Sequence, residues 1–333
     1  MKTARLVALI LTVVWGCNSL LGAGLPALAQ AEVSQDLEQA WSLAVARDGQ
    51  GTLWAAWEVD NGHDTEIYAA QWTGRDWSGA GPALPRPEAW DGAPSLAVAA
   101  DGTLWLAWSS TLRSSPEKTR IYASRWTGEG WSSAEVLPEG TAFGGCASCG
   151  HATEPALAAA PDGTMWAAWV GADGQEENIF AQRWSGGVWS QPRQVSAGEG
   201  SPLLYDRQPQ LAVGEDGRPW IAWTGNQADS DGVPIPGDDE IYASRWTGDA
   251  WTPEQMVSRD DESLDTAPSL ALDAQGQAWI AWQARVTEDT VSRLRVIVSH
   301  WDASRQAWAV ERIASSPLAA EIDEVHPTLA PAG

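Results

Sequence analysis

The sequence predicts an all-β protein, a β-propeller of four-stranded antiparallel blades, with five complete sequence repeats plus a partial sixth first strand. Three observations carry this: a tryptophan motif that recurs five times, tight-turn signals at fixed places within each recurrence, and no stretch with a convincing helical period. The motif LWAAW at 53–57 returns as LWLAW (104–108), MWAAW (165–169), PWIAW (219–223) and AWIAW (278–282), led by Trp54, Trp105, Trp166, Trp220 and Trp279. Four Trp per repeat account for 20 of the 23 in the chain, so the excess of Trp over 4 Tyr and 2 Phe is architectural.

An Ala-rich first strand (PSLAVAADG, PALAAAPDG, PQLAVGEDG) runs into an Asp-Gly turn, whose residues tolerate positive φ. The Trp-containing second strand follows, then a third such as IYASRW, a tight W-T-G-x-x-W turn, and a short fourth such as SSAEVLP at 132–138. Large indole plates and small Ala residues together fill the wedges between blades that bury both faces. The blades span about 40–92, 93–153, 154–207, 208–266 and 267–324; residues 325–333, with Pro327-Thr328-Leu329-Ala330, are a closing strand or the start of a sixth blade.

Ahead of the blades, residues 1–31 read as a signal peptide and 32–39 as a linker. MKTAR supplies positive charge, LVALILTVVWG an apolar run too short to span a membrane, and Ala27-Leu28-Ala29 or Ala29-Gln30-Ala31 a small-x-small cleavage site. The chain is thus expected outside the cytoplasm, secreted or periplasmic, without a transmembrane segment and as a monomer. Lipidation of Cys17 is the competing reading, which the bulky Trp15 fits poorly. Removal of the leader takes the net charge from -24 to -26, because Lys2 and Arg5 leave without an acid. So acidic a surface repels phosphate backbones, which excludes nucleic acid as a partner.

Spacing locates the functional face. The interval from leading Trp to third-strand Trp is 18, 21, 18, 26 and 22, and that from one blade's last Trp to the next leading Trp is 28, 35, 31 and 28. The other two turns are nearly constant. The two variable connections emerge together at one end of a propeller, and variable loops on a rigid frame carry binding chemistry. The ligand-binding candidates there are Asp60, Asp64, Glu66, Trp90, Tyr205, Asp206, Arg207, Asp229, Asp231, Asp238 and Asp239. Trp90 offers a plate for a sugar ring and the carboxylates offer acceptors for its hydroxyls. The blade-four insertion concentrates acids between Asp229 and Glu240, an oxygen-rich loop suited to Ca2+ although it lacks EF-hand spacing; otherwise no cofactor is expected. Cys146 and Cys149 in the longest blade connection read as a disulfide in an oxidising compartment; the alternative is a metal site with His151 and Glu154.

The module P-x-L-A-x-x-x-D-G-x-x-W-x-A-W followed by E-I-Y-A-x-R-W-T-G-x-x-W-S resembles the bacterial sialidase-like, Asp-box repeat propellers over about residues 40–331. The turns at Trp126–Trp131 and Trp246–Trp251 carry Thr where that family has the box aspartate, which survives only at Asp302. The resemblance implies a propeller, and for catalytic members an arginine triad, a Tyr–Glu nucleophile pair and an Asp acid. Arg125, Arg183 and Arg245, like Tyr68, Tyr122 and Tyr242, occupy one repeat position in separate blades and do not converge, so no catalytic set is assigned. The expectation is a non-catalytic module that binds a glycan or an extracellular protein, with a sialidase-like glycoside hydrolase as the alternative.

Overall fold

The computed structural model describes residues 40–78, 81–86, 88–138, 150–172, 176–196, 203–228, 233–260, 263–288, 291–309, 312–314 and 327–329. The leader, Cys17, Cys146, Cys149, Asp229 and Asp231 lie outside them. The described residues form strands and turns without a helix, and no helix is long and apolar enough to cross a membrane.

The described strands fall into consecutive antiparallel units. The first comprises β1 (Ala40–Arg47), β2 (Leu53–Asp60), β3 (Thr65–Gln71) and β4 (Gly81–Pro82). The second comprises β5 (Ala89–Val98), β6 (Leu104–Leu112), β7 (Thr119–Arg125) and β8 (Glu135–Val136). In the third, β9 (His151–Ala159) and β10 (Met165–Ala172) precede β11 (Glu177–Ser185), which pairs with both β12 (Val188–Trp189) and β13 (Arg193–Gln194). The fourth runs β14 (Leu203–Val213), β15 (Pro219–Ala228), β16 (Pro234–Arg245) and β17 (Gln255–Met256). In the fifth, β18 (Asp265–Leu272) and β19 (Ala278–Glu288) precede β20 (Val291–Asp302), which pairs with β21 (Ala307–Trp308) and β22 (Arg312–Ile313). Successive units of this kind follow the building plan of a propeller.

First strands start earlier than the repeat motif, because each contains a bulge just before its proline or equivalent residue. Ser42, Ala93, Glu154, Gln208 and Ala267 have φ of 53°, 51°, 53°, 56° and 54°, and pairing with the second strand skips register there in every unit. The extra residue leaves the ladder locally unpaired and re-aims the strand. Its N–H is caught from the preceding unit: Ala93 by Glu58 Oε2 at 3.1 Å, Gln208 by Glu154 Oε2 at 2.6 Å and Ala267 by Gln208 Oε1 at 2.9 Å. First strands therefore stand side by side, and the units are stapled there in sequence order.

At the tight-turn ends, the leading Trp of each of the first four units packs against the two turn Trp residues of the next unit. Trp54 meets Trp126 and Trp131 at 4.7 and 5.8 Å, and Trp105 meets Trp184 and Trp189 at 5.0 and 5.9 Å. Trp166 meets Trp246 and Trp251 at 5.5 and 5.9 Å, and Trp220 meets Trp301 and Trp308 at 5.4 and 5.7 Å. Edge and tilted contacts of this kind contribute about 0.5–1.5 kcal/mol each beyond area burial. Two of the three repeated arginines belong to these junctions. Arg125 sits over Trp105 and Trp184, and Arg245 over Trp220. In the W-T-G turns, the hydroxyls of Thr73, Thr127 and Thr247 donate to the carbonyls of Asp76, Gly130 and Ala250 at 2.7, 2.8 and 2.8 Å. Asp302 closes its own turn by accepting from the Ser304 and Arg305 N–H groups.

Candidate functional site

The end opposite the tight turns is built from the starts of first and third strands and the loops after second strands. Three residues before each bulge, the first-strand segments carry Trp90, His151, Tyr205 and Leu264 in units two to five. Because first strands are neighbours, three ring-bearing side chains from consecutive units share one level at this end. Trp90 is 42% exposed and is the one exposed Trp among the residues whose burial is described. His151 is exposed as well, with Nδ1 2.9 Å from Thr119 Oγ1, while Tyr205 is half-buried.

Trp90 is held in a polar frame drawn from two units. The Arg113 guanidinium lies 5.6 Å from its ring centroid and pairs with Asp64 Oδ2 at 3.5 Å. Arg113 also donates to His63 O, and Asn61 Nδ2 donates to Asp64 Oδ1. Asp64 is thus buried (6% exposed) and spends its carboxylate on fixing the loop, while Asp60 accepts the Gly62 N–H at 2.7 Å. Glu66 is half-buried. Burial is the main cause that raises the pKa of nearby Asp91, and the Glu66 charge adds to it by repulsion.

The fourth unit gathers a second group. Asp206 is fully buried and accepts the Trp223 indole N–H at 3.0 Å. Burial is the main cause that lifts its pKa to about 8; the Ser196 and Trp223 hydrogen bonds oppose the shift, and Glu254 and Glu177 add to it. Gly225 is required alongside, since a Cβ there would lie 2.8 Å from the Tyr242 ring and 2.9 Å from Asp206 Oδ1. The same Asp-to-Trp interval separates Asp91 from Trp108 and Asp265 from Trp282. All three aspartates are buried, and burial lifts Asp91 to about 6. In units one and three Ala40 and Ala152 stand at that position. Asp206 therefore serves a repeated packing position, buried beneath the surface where Tyr205 and Arg207 stand.

Arg207 is exposed and pairs with Asp239 Oδ1 at 3.6 Å, which also accepts from Asn226 Nδ2 at 2.9 Å. Asp238 and Glu240 alternate with Asp239 along β16 and lie on its other face. Their carboxylates come within 4.8 Å of that of Asp260. This donor set is all oxygen, of the hard type that Ca2+ takes, and the Ser258 hydroxyl donates to Glu240.

The sequence candidates thus divide into a Trp90 group, with Asp60, Asp64 and Glu66, and a Tyr205 group, with Asp206, Arg207, Asp238 and Asp239. The third unit, with His151, lies between them. Sequence reasoning reads His151 only together with the cysteines beside it, and it singles out nothing at Arg113. Alignment of the first strands on their prolines would have set His151 level with Trp90 and Tyr205. Arg113 lies 50 positions from its partner His63, a separation that no local pattern reveals.

No protein-family model and no curated protein matches the sequence. The fold is similar to several solved structures. A protein of unknown function from Dyadobacter fermentans shares 13% identity at a TM-score of 0.59, with 83% of each chain covered. A Penicillium chrysogenum alpha-L-arabinanase complexed with arabinobiose shares 12% identity at 0.52, covering 82% of this chain and 92% of that one. The NanB sialidase of Streptococcus pneumoniae shares 10% identity at 0.52, covering 85% of this chain and 63% of that one. At such identities the likeness is one of fold.

Proposed function

We propose that this chain is an extracytoplasmic β-propeller module that recognises glycans, without turning them over, through the end that carries Trp90. Five blades and a sixth first strand form its frame. In support of the sixth, Leu329 N–H donates to Ser269 Oγ at 2.9 Å, as Leu157 N–H donates to Ser95 Oγ at 3.0 Å between two neighbouring first strands. The observation that carries the binding reading is Trp90 itself: the one exposed indole among the residues whose burial is described, framed by Arg113 and the Asp60–Asp64 loop. A sugar ring presents a C–H face to such a plate and hydroxyls to the polar groups beside it. Two of the structural neighbours, the arabinanase and the sialidase, are enzymes named for action on glycans. Ca2+ at Asp238, Glu240 and Asp260 would stiffen the fourth-unit loop, and a Cys146–Cys149 disulfide the loop before β9.

The test is a broad glycan array probed with the labelled mature chain in calcium-containing buffer. Saturable binding to one glycan family is the expected result. Silence across the array would abandon the sugar and leave an extracellular protein as the partner.

A second reading, a sialidase-like glycoside hydrolase, is favoured by one observation: Asp206, lifted to about 8, is protonated at neutral pH as a general acid must be. Its complete burial and its repeat equivalents Asp91 and Asp265 weigh for packing instead. Turnover of a fluorogenic sialoside, lost in Asp206→Asn, would establish the hydrolase; no turnover is expected.

A further inference from the structure

The four junctions between units show what each face of a unit binds. A forward face offers its leading Trp to the turn pair of the next unit, and a backward face offers its turn pair to the leading Trp of the unit before. The forward face of unit five and the backward face of unit one have no such counterpart among the described residues. Trp54, Trp105, Trp166 and Trp220 are buried under the turn pairs they meet. Trp279 of unit five is half-buried and stacks instead on His300 of its own unit, 4.6 Å away. Val298, beside it on that face, is half-buried as well.

Unit one supplies the other half of the same junction. Its turn pair, Trp72 and Trp77, has ring centroids 5.5 Å apart and no leading Trp over it among the described residues. Tyr68 is half-buried where Tyr122, Phe180 and Tyr242 are buried. Leu43 is 43% exposed and Val45 36%, while Pro155, Pro209 and Pro268, at the place of Leu43, are buried. β1 packs beside β5 and β18 beside β14, but β1 and β18 are not side by side as other successive first strands are. Instead the segment 327–329 lies next to β18, with Thr328 exposed. Between units five and one there is thus a seat walled by one face of each kind, with apolar side chains open on the unit-one side.

We propose that this seat takes a tryptophan-bearing β-hairpin of a partner protein, built like the second and third strands of this chain's own units. The hairpin's turn pair covers Trp279, and its leading indole covers Trp72 and Trp77. Its small and branched side chains cover Leu43 and Val45, as Ala56 and Ile67 of unit one cover Leu96 of unit two. The occupant follows from the four internal junctions, each of which joins the same two faces that stand open here, and strand addition of this kind is a general mode of peptide recognition. The inference rests on the reading of 327–329 as a sixth first strand and is independent of the sugar reading of the Trp90 end.

The probe is a labelled synthetic peptide of residues 104–131, the second and third strands of unit two with their turn, titrated with the mature chain and followed by anisotropy. Saturable binding is expected. It should weaken about tenfold or more when the peptide carries Trp105→Ala, Trp126→Ala and Trp131→Ala, and likewise when the protein carries Leu43→Asp or Trp279→Ala. A Leu43→Cys thiol should react with a soluble maleimide and be protected by the peptide. No saturable binding, or equal binding by the Leu43→Asp and Trp279→Ala proteins, would overturn the proposal. If the Leu43→Cys thiol reacts but no peptide binds, the hairpin alone is lost. A thiol unreactive without peptide would show that the chain covers this seat itself, which overturns the sixth-strand reading too. Self-association of the mature chain in sedimentation, abolished by Leu43→Asp, would give the seat to a second copy and overturn the hairpin.

Discussion

Asp206 shows how much a single repeat position can decide. Its folded pKa of about 8 stands above the ordinary value of 3.8 because burial penalises the charged form most strongly. Below about pH 4 the carboxyl is protonated whether the chain is folded or not, and it contributes no pH dependence. As pH rises from about 4 to 8 the unfolded chain ionises while the folded one keeps the proton, so stability falls, by at most about 1.4 kcal/mol per pH unit from this group. Above about 8 the loss is complete. Asp91, lifted to about 6 chiefly by burial, adds the same sign of effect between about pH 4 and 6. Asp206→Asn keeps an acceptor for the Trp223 N–H and removes the ionisation. Its Tm at pH 8 should exceed that of the parent, with a flatter profile between pH 5 and 8. Equal slopes for the two proteins would contradict the account. The burial of Asp206 is not legible from its place in a Tyr-Asp-Arg linker, where it reads as an exposed ligand. The recurrence of an acid at one fixed interval before the second Trp of three repeats is in the sequence, and it points to packing.

Among the elements, the bulged first strand sets the geometry of the unit junctions. Five non-glycine residues sit at positive φ at equivalent places, a conformation that costs about 1–2 kcal/mol for an L-residue and persists because neighbours fix it. Gln208 has two roles: its own N–H is held by Glu154, and its Oε1 accepts from Ala267 N–H and from Thr224 Oγ1 at 3.1 Å. Gln208→Ala should lose about 0.5–1.5 kcal/mol with the removed hydrogen bonds, read as a shift in the urea midpoint with unchanged m. An unmoved midpoint would show that water replaces the amide. Ala267→Gly should be neutral or stabilising by up to about 1 kcal/mol in the same assay, since glycine adopts positive φ without strain. Strand order, turn positions and the Thr-closed turns are all readable from spacing. The bulges are not, because Ser, Ala, Glu, Gln and Ala share no side-chain chemistry that marks positive φ; only their common place before the proline or its equivalent does.

For the whole molecule, the repeat of indoles is both what makes the fold legible and what makes Trp90 stand out. Leading Trp residues lock each unit to the next through the turn pairs, so the periodic Trp count follows from junction packing. Two of the three arginines that mimic a substrate-binding triad in the sequence, Arg125 and Arg245, are spent on the same junctions. What periodicity cannot supply is convergence: Arg113, Asp64 and Trp90 meet only when two units are placed side by side. This convergence is the proposed sugar-recognition surface. Its most direct measurement is the affinity of the glycan selected on an array for the parent and for Trp90→Ala, with Tm measured on both. Affinity is expected to fall at least tenfold in Trp90→Ala, about 1.4 kcal/mol, with Tm unchanged because the side chain is exposed. Equal affinity for the two proteins would place recognition elsewhere and contradict it.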